Sequence, residues 1–379
     1  MSSALTDLFP HPIVQAPMAG GVSVPQLAAA VAEAGGLGFL AAGYKTADGL
    51  YQEIKQLRSL TGRPFGVNLF MPQPEYPGAG VGSGSQGAAG ASLPAAGAIE
   101  VYAHQLAGEA AWYETELGDP DSGRDDGYDA KLAVLLDNPA PVVSFHFGVP
   151  GGDTLESLRR AGAFTLVTAT TAEEAVAVER AGADAVIVQG VEAGGHQGAH
   201  RDNPETDGCG MGLLSLIAQV RESVRLPIVA AGGLMRGSQI AAVLAAGASA
   251  AQLGTAFLAT PESGAPAVHK QALTNPLFVR TELTRAFSGR PARALVNRFL
   301  REHGPYAPAA YPEVHHLTAP LRKAAAKAGD AQGMALWAGQ GHRMARELPA
   351  GQLVEVLLAE LAEARTALSR FPAGDGGRS

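Results

Sequence analysis

The stretch Asp184-Ala-Val-Ile-Val-Gln-Gly-Val-Glu-Ala-Gly-Gly-His-Gln-Gly198 indicates how this chain is built. Its first part, through Gln189, is an apolar run that predicts a buried β-strand. Four glycines follow within nine residues, and glycine tolerates backbone conformations and close approaches that other residues do not. A single imidazole, His196, lies among them. This pattern is typical of a proton-transfer group held over a bound planar ligand, and it also fits a tight turn with a surface histidine.

Eight short apolar runs of this kind occur along the chain, and most alternate with segments whose apolar residues recur at helical spacing. Nearly continuous apolar character is expected for strands buried on both faces of a parallel sheet. Alternation of strands and helices over eight strands predicts the α/β class and, within it, a (β/α)8 TIM barrel. The predicted strands are Ile13–Ala16, Leu37–Ala41, Phe65–Phe70, Val142–Phe147, Phe164–Thr168, Ala185–Gln189, Ile228–Ala231 and Ala250–Leu253.

The chain is longer than a barrel requires. It has 379 residues, whereas a plain barrel needs roughly 250. We therefore predict a barrel over residues 1–260, with an insertion at 71–138 between the third and fourth strands. The insertion contains Gly78–Gly97, which is rich in Gly, Ala and Ser and predicts a flexible loop. Residues 261–379 are predicted to be a mainly helical C-terminal region, part of which closes the barrel.

The last two predicted strands end in small residues suited to a phosphate. Leu226-Pro-Ile-Val-Ala-Ala-Gly-Gly233 ends in two glycines before a helical segment, and Ala251-Gln-Leu-Gly-Thr-Ala256 contains a glycine and a threonine after its strand. In barrels, the loops after the seventh and eighth strands frequently hold a phosphate with backbone N–H groups. Ordinary turns between strands and helices contain glycine too. The residues predicted to hold the phosphate are Gly232, Gly233, Gly254 and Thr255.

Amide side chains end two other strands. Asn68 lies near the end of the third strand and Gln189 ends the sixth, so both are expected at the mouth of the barrel. Each amide offers one acceptor and two donors, which suits the polar edge of a flavin or a purine. With Gln15–Met18 on the first strand and the phosphate turns, they form a constellation of cofactor size. A phosphate site beside a polar edge implies a bound mononucleotide such as FMN.

Two further residues are candidate substrate contacts. His146 lies inside the otherwise apolar strand Val142–Gly148, where it fits a hydrogen-bonded core histidine as well as a residue of the substrate pocket. Tyr311 lies in the C-terminal region, where it either contributes to a lid or packs in a core. The residue patterns leave both alternatives open.

Composition and the remaining motifs argue against several classes of protein. The net charge is −8 without a basic cluster, so no nucleic-acid partner is expected. No apolar run is long enough to cross a membrane and the N-terminus does not resemble a signal peptide, so we expect a cytoplasmic protein. Gly82–Gly87 matches GxGxxG but follows no strand, so it fails as a dinucleotide fingerprint. His196 and His200 lie among glycines that disfavour a shared helical face, and no metal site is predicted.

Short motifs along most of the chain carry a resemblance to a known family; they are Gln15–Gly21, Ala34–Gly38, Phe65–Leu69, Asp125–Lys131, Ser144–Gly148, Gln189–Gly198, Ala231–Gly233, Gln252–Thr255 and Tyr311–Leu317. Together they resemble the nitronate monooxygenases, formerly called 2-nitropropane dioxygenases, of class I. The resemblance implies an FMN-dependent enzyme on a TIM barrel with an added helical domain. It implies oxidation of alkyl nitronates, notably propionate 3-nitronate, by O2 to a carbonyl compound with nitrite or nitrate.

The resemblance also implies roles for individual residues. His196 is the active-site histidine, which either binds the nitronate oxygens when protonated or removes the α-proton of a nitroalkane when neutral. Met18 lies against the flavin ring. With the phosphate turns, the predicted cofactor contacts are Met18, Asn68, Gln189, Gly194, Gly232, Gly233, Gln252, Leu253, Gly254 and Thr255.

Three alternatives remain at the level of sequence. An FMN-dependent NAD(P)H reductase on the same barrel, such as an enoyl-acyl-carrier-protein or quinone reductase, needs no dinucleotide fingerprint. A flavin-free mononucleotide-binding barrel resembling IMP dehydrogenase needs a catalytic cysteine, and Cys209 lies in the loop after the sixth strand. A non-catalytic binding protein has little use for His196 over a small pocket.

Overall fold

The eight predicted strands are all present in the structure, a computed structural model that describes residues 5–73, 95–206 and 209–369. The glycine-rich stretch Gly78–Gly97 lies outside the described residues except for its last three, and the Gly82–Gly87 motif lies wholly outside them. The strands are β1 (Ile13–Gln15), β2 (Gly38–Ala41), β3 (Phe65–Phe70), β4 (Val142–His146), β5 (Phe164–Ala169), β6 (Ala185–Gln189), β7 (Gly195–His196), β8 (Ile228–Ala231), β9 (Ala250–Leu253), β10 (Thr281–Thr284) and β11 (Ala292–Leu295).

The eight-stranded sheet is a barrel. Its strands pair in parallel in the order β1-β9-β8-β6-β5-β4-β3-β2. A parallel bridge between Val14 and Leu37 brings the two ends of this order together. The Gln15 side chain reinforces the junction, because its Oε1 accepts a hydrogen bond from the Phe39 backbone N–H at 2.9 Å. The predicted (β/α)8 architecture is confirmed.

Side chains alternate between the inside of the barrel and its helical layer. On β6, Ala185 and Ile187 belong to the cluster inside the barrel, whereas Val186 and Val188 belong to the cluster that includes the surrounding helices. This alternation follows from the two-residue period of a strand. It directs the next residue in register, Gln189, to the barrel mouth, where it lines a cavity. The polar residues that end the strands are therefore brought to one site.

Helices surround the barrel and extend the chain beyond it. The described helices are α1 (Pro25–Glu33), α2 (Ala47–Leu60), α3 (Ala95–Trp112), α4 (Tyr128–Asp137), α5 (Gly152–Arg160), α6 (Ala172–Ala181), α7 (Leu213–Ser223), α8 (Gly237–Ala245), α9 (Thr255–Leu258), α10 (Ala267–Thr274), α11 (Arg298–His303), α12 (Glu313–Lys327) and α13 (Ala350–Ser369). The last helix, α13, packs against α8 and α1, which is the position of the eighth barrel helix. None of the described helices is both long and apolar enough to cross a membrane.

The C-terminal region contains a small sheet as well as helices. β10, β11 and β7 form a three-stranded antiparallel sheet, in which Ala292 of β11 pairs with His196 of β7. Sequence patterning predicts mainly helix for this region, so the two strands β10 and β11 are additions to the prediction. Their pairing with β7 ties the loop that follows β6 to the C-terminal region.

The insertion between β3 and β4 shares a core with the C-terminal region. Tyr102 and Leu106 of α3 pack with Phe299 of α11 and with Val314 of α12. The Tyr102 hydroxyl donates a 2.8 Å hydrogen bond to the Ala286 carbonyl. These two parts of the chain therefore form one packed layer beside the barrel mouth.

Candidate active site

A cavity of about 410 Å³ opens at the carboxyl ends of the barrel strands. This volume lies within the range of pockets that hold small ligands and cofactors. Nearly all of the predicted site residues line it: Met18, Asn68, His146, Gln189, Gly194, His196, Gly232, Gly233, Gln252, Gly254 and Thr255. The structure thus brings together residues that are up to 237 positions apart in the sequence.

Leu253 and Tyr311 do not line the cavity. Gln252 faces the inside of the barrel, so the next residue on β9 must face outward, and the Leu253 side chain packs in the core against the surrounding helices. The Leu253 side chain therefore points away from the cavity, which leaves the Leu253 backbone as the predicted cofactor contact. Tyr311 is buried directly behind the cavity, with its ring centroid 5.7 Å from that of His196.

One end of the cavity presents backbone donors. The N–H groups of Gly232, Gly233, Gly254 and Thr255 donate no hydrogen bond to any other part of the chain that the structure describes. Gly232 and Gly233 have φ values of +147° and +65°, a region that favours glycine, and a Cβ would lie 3.3 Å from the Gly190 nitrogen and 3.0 Å from Glu192 Cβ, respectively. The Thr255 hydroxyl accepts a 2.9 Å hydrogen bond from the Gly339 N–H. This end therefore suits an oxyanion such as a phosphate.

Amide side chains line the middle of the cavity. Asn68 Nδ2 donates to Ser144 Oγ at 2.9 Å, which fixes the orientation of its amide. Gln189 bridges the loop after β6, because its Nε2 donates to the His196 carbonyl and its Oε1 accepts from the Gly198 N–H at 2.7 Å. Gln252 Oε1 is buried and accepts no hydrogen bond from the described residues. An unsatisfied buried acceptor is costly, so Gln252 is suited to a ligand N–H.

Hydrogen bonds to a buried serine restrain the loop that contains Met18. The Met18 N–H and Gln15 Nε2 both donate to Ser23 Oγ at 2.9 Å. Gln15 and Ser23 are fully buried, whereas Met18 lines the cavity. A rigid loop therefore holds this thioether side chain at the cavity wall.

His196 is held by the C-terminal region. Its Nε2 lies 2.9 Å from Ser288 Oγ, and that hydroxyl donates its proton to the Arg290 carbonyl at 3.2 Å. A hydroxyl that donates to this carbonyl accepts from His196, so we assign the imidazole proton to Nε2 and a free lone pair to Nδ1. Rings of Phe147, Tyr311 and Trp337 surround the imidazole, with centroids 5.5 to 5.7 Å away. The arrangement fixes the orientation of His196.

Both cavity histidines are neutral at ordinary pH. Burial lowers the pKa of His196 to about 3, with smaller contributions from His146, Arg290 and Arg322. Burial also lowers the pKa of His146 to about 3, followed by the effect of Arg290. The free lone pair of His196 is thus available as a proton acceptor across the working pH range.

Behind the histidines the backbone is strained. Phe147, which directly follows His146, has a φ of +72°, in the left-handed region that non-glycine residues rarely adopt. The Arg290 guanidinium lies 4.1 Å from the centroid of the Phe147 ring and bonds to Gln73 and to the Ala199 carbonyl. Such strain is characteristic of functional sites, where surrounding contacts hold it in place.

Sequence reasoning missed two cationic residues of the cavity. Arg322 and Lys323, both on α12, line it together with Trp337 and Met334 from the segment before α13. Nothing in the α12 sequence distinguishes these cations from solvated residues on an amphipathic helix, since their place is set by how α12 docks. Only a spatial model of that docking could have identified them.

The residues considered for other chemistries have different roles. His200 Nε2 bonds to the Thr168 carbonyl at 2.7 Å, and Asp202 pairs with the buried Arg285, so neither is arranged around a metal. Cys209 is exposed and does not line the cavity. A catalytic cysteine at the mouth, as an IMP dehydrogenase-like reaction needs, is therefore not present in the described lining.

Stability of the protein should fall as pH is lowered through the weakly acidic range. The pKa values of His146 and His196 are about 3 and that of His269 is about 4, all below the value of about 6.5 in an unfolded chain. The unfolded state therefore binds protons first, so this stability is complete above pH 6.5 and is lost as pH falls towards the folded values. Each histidine should contribute a slope of about 1.4 kcal/mol per pH unit.

Urea unfolding between pH 7.5 and pH 5 measures this slope. The matched variant is His269→Gln, because glutamine keeps a donor for the Trp337 carbonyl, which His269 Nε2 approaches at 3.0 Å, but does not titrate. Its slope should be shallower by the contribution of one histidine. Equal slopes for the two proteins would show that His269 is not buried in its neutral form.

Comparison with known proteins identifies the family. The family model described as nitronate monooxygenase matches residues 2–360. A nitronate monooxygenase from Pseudomonas aeruginosa is 43% identical over 366 residues, covering 94% of this chain and 99% of the relative. The crystal structure of a nitroalkane oxidase from Streptomyces ansochromogenes is 80% identical with a TM-score of 0.91, covering 97% of this chain and 100% of that one. The structure of FabK from Thermotoga maritima is 28% identical with a TM-score of 0.71, covering 98% of this chain and 100% of that one. The chain is thus an enzyme of the nitronate monooxygenase family.

Proposed function

We propose that this protein uses FMN to oxidise alkyl nitronates, such as propionate 3-nitronate, with O2 to a carbonyl compound and nitrite or nitrate. The observation that carries the proposal is a neutral, oriented imidazole, His196, in the same cavity as an unpaired amide acceptor and a set of free backbone donors. Membership of the nitronate monooxygenase family supports the reaction class.

The cavity residues fit FMN. The free N–H groups of Gly232, Gly233, Gly254 and Thr255 suit its phosphate, and Gln252 Oε1 suits an N–H of its ring. When bound, the flavin accepts electrons from the substrate and passes them to O2. We infer that the side chains and backbone that hold it belong to Met18, Asn68, Gln189, Gly194, Gly232, Gly233, Gln252, Gly254 and Thr255, and that Leu253 offers only its backbone.

The chain's own residues orient the substrate and manage its proton. Nδ1 of His196 accepts the α-proton when the substrate arrives as an uncharged nitroalkane, because burial keeps the imidazole unprotonated. His146 lines the cavity beside His196 and limits where the substrate lies, while Tyr311 packs against His196 from behind the cavity. The buried rings of Phe147 and Tyr311 keep water from the reacting atoms.

Oxidation of neutral nitroalkanes is a second activity that we propose for the same site. A preformed nitronate needs no base, yet burial lowers the pKa of His196 and keeps its imidazole unprotonated. The relative from Streptomyces ansochromogenes that is 80% identical is described as a nitroalkane oxidase. Both observations favour an enzyme that also removes the α-proton itself.

We propose the division of the chain that its sequence predicts, with a barrel over 1–260, the insertion 71–138 and a C-terminal region over 261–379. The packing of α13 against α1 and α8 supports a C-terminal region that returns to complete the barrel. The contacts of Ser288 and Trp337 with His196 support a catalytic role for the same region.

Purified protein should be yellow, should release FMN on heating, and should consume O2 with a nitronate when no nicotinamide is present. Nitrite or nitrate and the carbonyl product should appear alongside the O2 consumption. The companion measurement mixes the protein with NADH and NADPH without oxygen, where rapid bleaching of the flavin would support the NAD(P)H reductase alternative. A colourless protein that takes up no FMN would contradict the proposal.

A further inference from the structure

Arg322 stands out among the cavity residues because its charge has no carboxylate partner. Its Nε bonds to Thr318 Oγ1 at 3.1 Å, and one terminal nitrogen donates to the His315 carbonyl at 2.8 Å and approaches His315 Nδ1 at 3.2 Å. The other terminal nitrogen has no hydrogen-bond acceptor among residues 5–73, 95–206 and 209–369. Three neutral contacts therefore orient the guanidinium, and part of its donor fork stays open in the cavity.

The groups around Arg322 are neutral or positive. Burial raises the pKa of Tyr44 to about 12 and that of Tyr311 well above 10, so both phenols stay protonated at ordinary pH. Burial lowers the pKa of His315 well below 6.5, which keeps it neutral. Asp126 accepts a 2.9 Å hydrogen bond from the Tyr44 N–H and pairs with Lys131 at 2.7 Å.

Arg322 is half-buried at the cavity wall, and a cation removed from water without a partner is stabilised when an anion joins it. Arg322 is close enough to His196 to lower the pKa of that imidazole. Arg322 and His196 line the same cavity, and a guanidinium matches a planar pair of oxygens such as a nitro or nitronate group. His196 and His146 are both neutral, so neither supplies this charge.

We propose that Arg322 binds the two oxygens of the nitro or nitronate group and supplies the positive charge of the active site, while His196 handles the proton. This inference rests on the proposed function and adds a division of labour to it. The two residues come from opposite parts of the chain, β7 and α12, and meet at one cavity.

The division of labour predicts different kinetics for the two protonation states of one substrate. A nitronate is already negative when it binds, so Arg322 stabilises the bound state and the transition state alike, and its loss raises KM. A neutral nitroalkane gains negative charge on its oxygens only as the α-proton leaves, so loss of Arg322 lowers kcat instead. Each effect should be about 10- to 100-fold, the range of a charge-assisted hydrogen bond.

The experiment compares Arg322→Gln, Arg322→Lys and the control Lys327→Gln, which removes a charge from the exposed end of the same helix. Flavin content and thermal unfolding are measured first. Steady-state kinetics with nitroethane and with its preformed nitronate then test the split between KM and kcat. Arg322→Lys should give smaller changes of the same kind, because it keeps the charge without the planar fork. Lys327→Gln should behave like the wild type.

Binding of inorganic nitrate, a planar oxyanion, provides a readout without turnover. Calorimetry on the holoenzyme should give a Kd at least about 10-fold higher for Arg322→Gln than for the wild type. The inference would be overturned if Arg322→Gln left the nitrate affinity and the kinetic constants for both substrates unchanged. It would also be overturned if the variant changed KM and kcat by the same factors with both substrates. A wild-type enzyme that turns over neither substrate would contradict the proposed function, and the nitrate titration would still decide whether Arg322 binds an oxyanion.

Discussion

Replacing His196 with alanine is expected to lower kcat/KM for a neutral nitroalkane by about 10²- to 10⁴-fold, the usual contribution of a positioned general base. The same variant should lose only about 10-fold with a preformed nitronate, because that substrate needs a contact and no proton acceptor. The physical reason is the free Nδ1 lone pair, which burial and the Ser288 hydroxyl preserve. Stopped-flow reduction of the flavin without oxygen measures both reactions directly.

The control for this variant is His104→Ala, which removes an exposed imidazole on α3. It should leave both rates unchanged. Flavin content must match the wild type in both proteins, since His196 shares its loop with predicted cofactor contacts. Equal losses of His196→Ala on the two substrates would mean that the imidazole only positions substrate, and full activity on both would remove it from the mechanism.

The barrel is predictable because its strands carry a strong local signal. Continuous apolar runs such as Ala185–Gln189 lack the spacing of an amphipathic helix, so a buried strand is the structure that they predict. The predicted bounds of these strands agree with the structure to within about one residue. The period of two along a strand also predicts which side chains face inward. It places Gln252 in the cavity and excludes Leu253, a distinction that the family resemblance alone does not make.

The small sheet is not predictable in the same way. β7 has two residues in a glycine-rich loop, and the Thr281–Thr284 strand has three partly exposed residues and carries no apolar run. Both become strands only because β11 lies between them. That pairing joins residues about 96 positions apart, which no window along the sequence detects.

The site residues from the C-terminal region cannot be predicted from the sequence for a related reason. Ser288 and Arg322 act on His196 from the C-terminal region, and each reaches it through tertiary docking. A serine in a turn and an arginine on a helix are ordinary surface residues by sequence. The glycines of the loop after β6, in contrast, are recognisable as a motif in the sequence. The structure shows that two of them are required for different physical reasons.

Gly194→Ala is expected to lower the free energy of unfolding by about 3 kcal/mol and to release flavin, whereas the neighbouring Gly195→Ala should cost about 1 kcal/mol. A Cβ on Gly194 would lie 2.4 Å from the Gly339 nitrogen and 2.6 Å from the Ala338 carbonyl carbon, so backbone must move. Gly195 has open space around it and only a φ of +73°.

A Cβ on Gly194 would displace the segment that contains Ala338 and Gly339. The contacts of this segment explain why the variant should lose flavin as well as stability. The Gly339 N–H holds the Thr255 hydroxyl at 2.9 Å, and the next residue, Gln340, donates to the Glu192 carbonyl at 3.0 Å. Moving this segment disturbs the end of the cavity that we assign to the phosphate. Fluorescence of released flavin during thermal unfolding, compared between the two variants and the wild type, measures both effects. If Gly195→Ala proved as damaging as Gly194→Ala, backbone strain in the loop and not contact with the C-terminal segment would be what fixes the cavity.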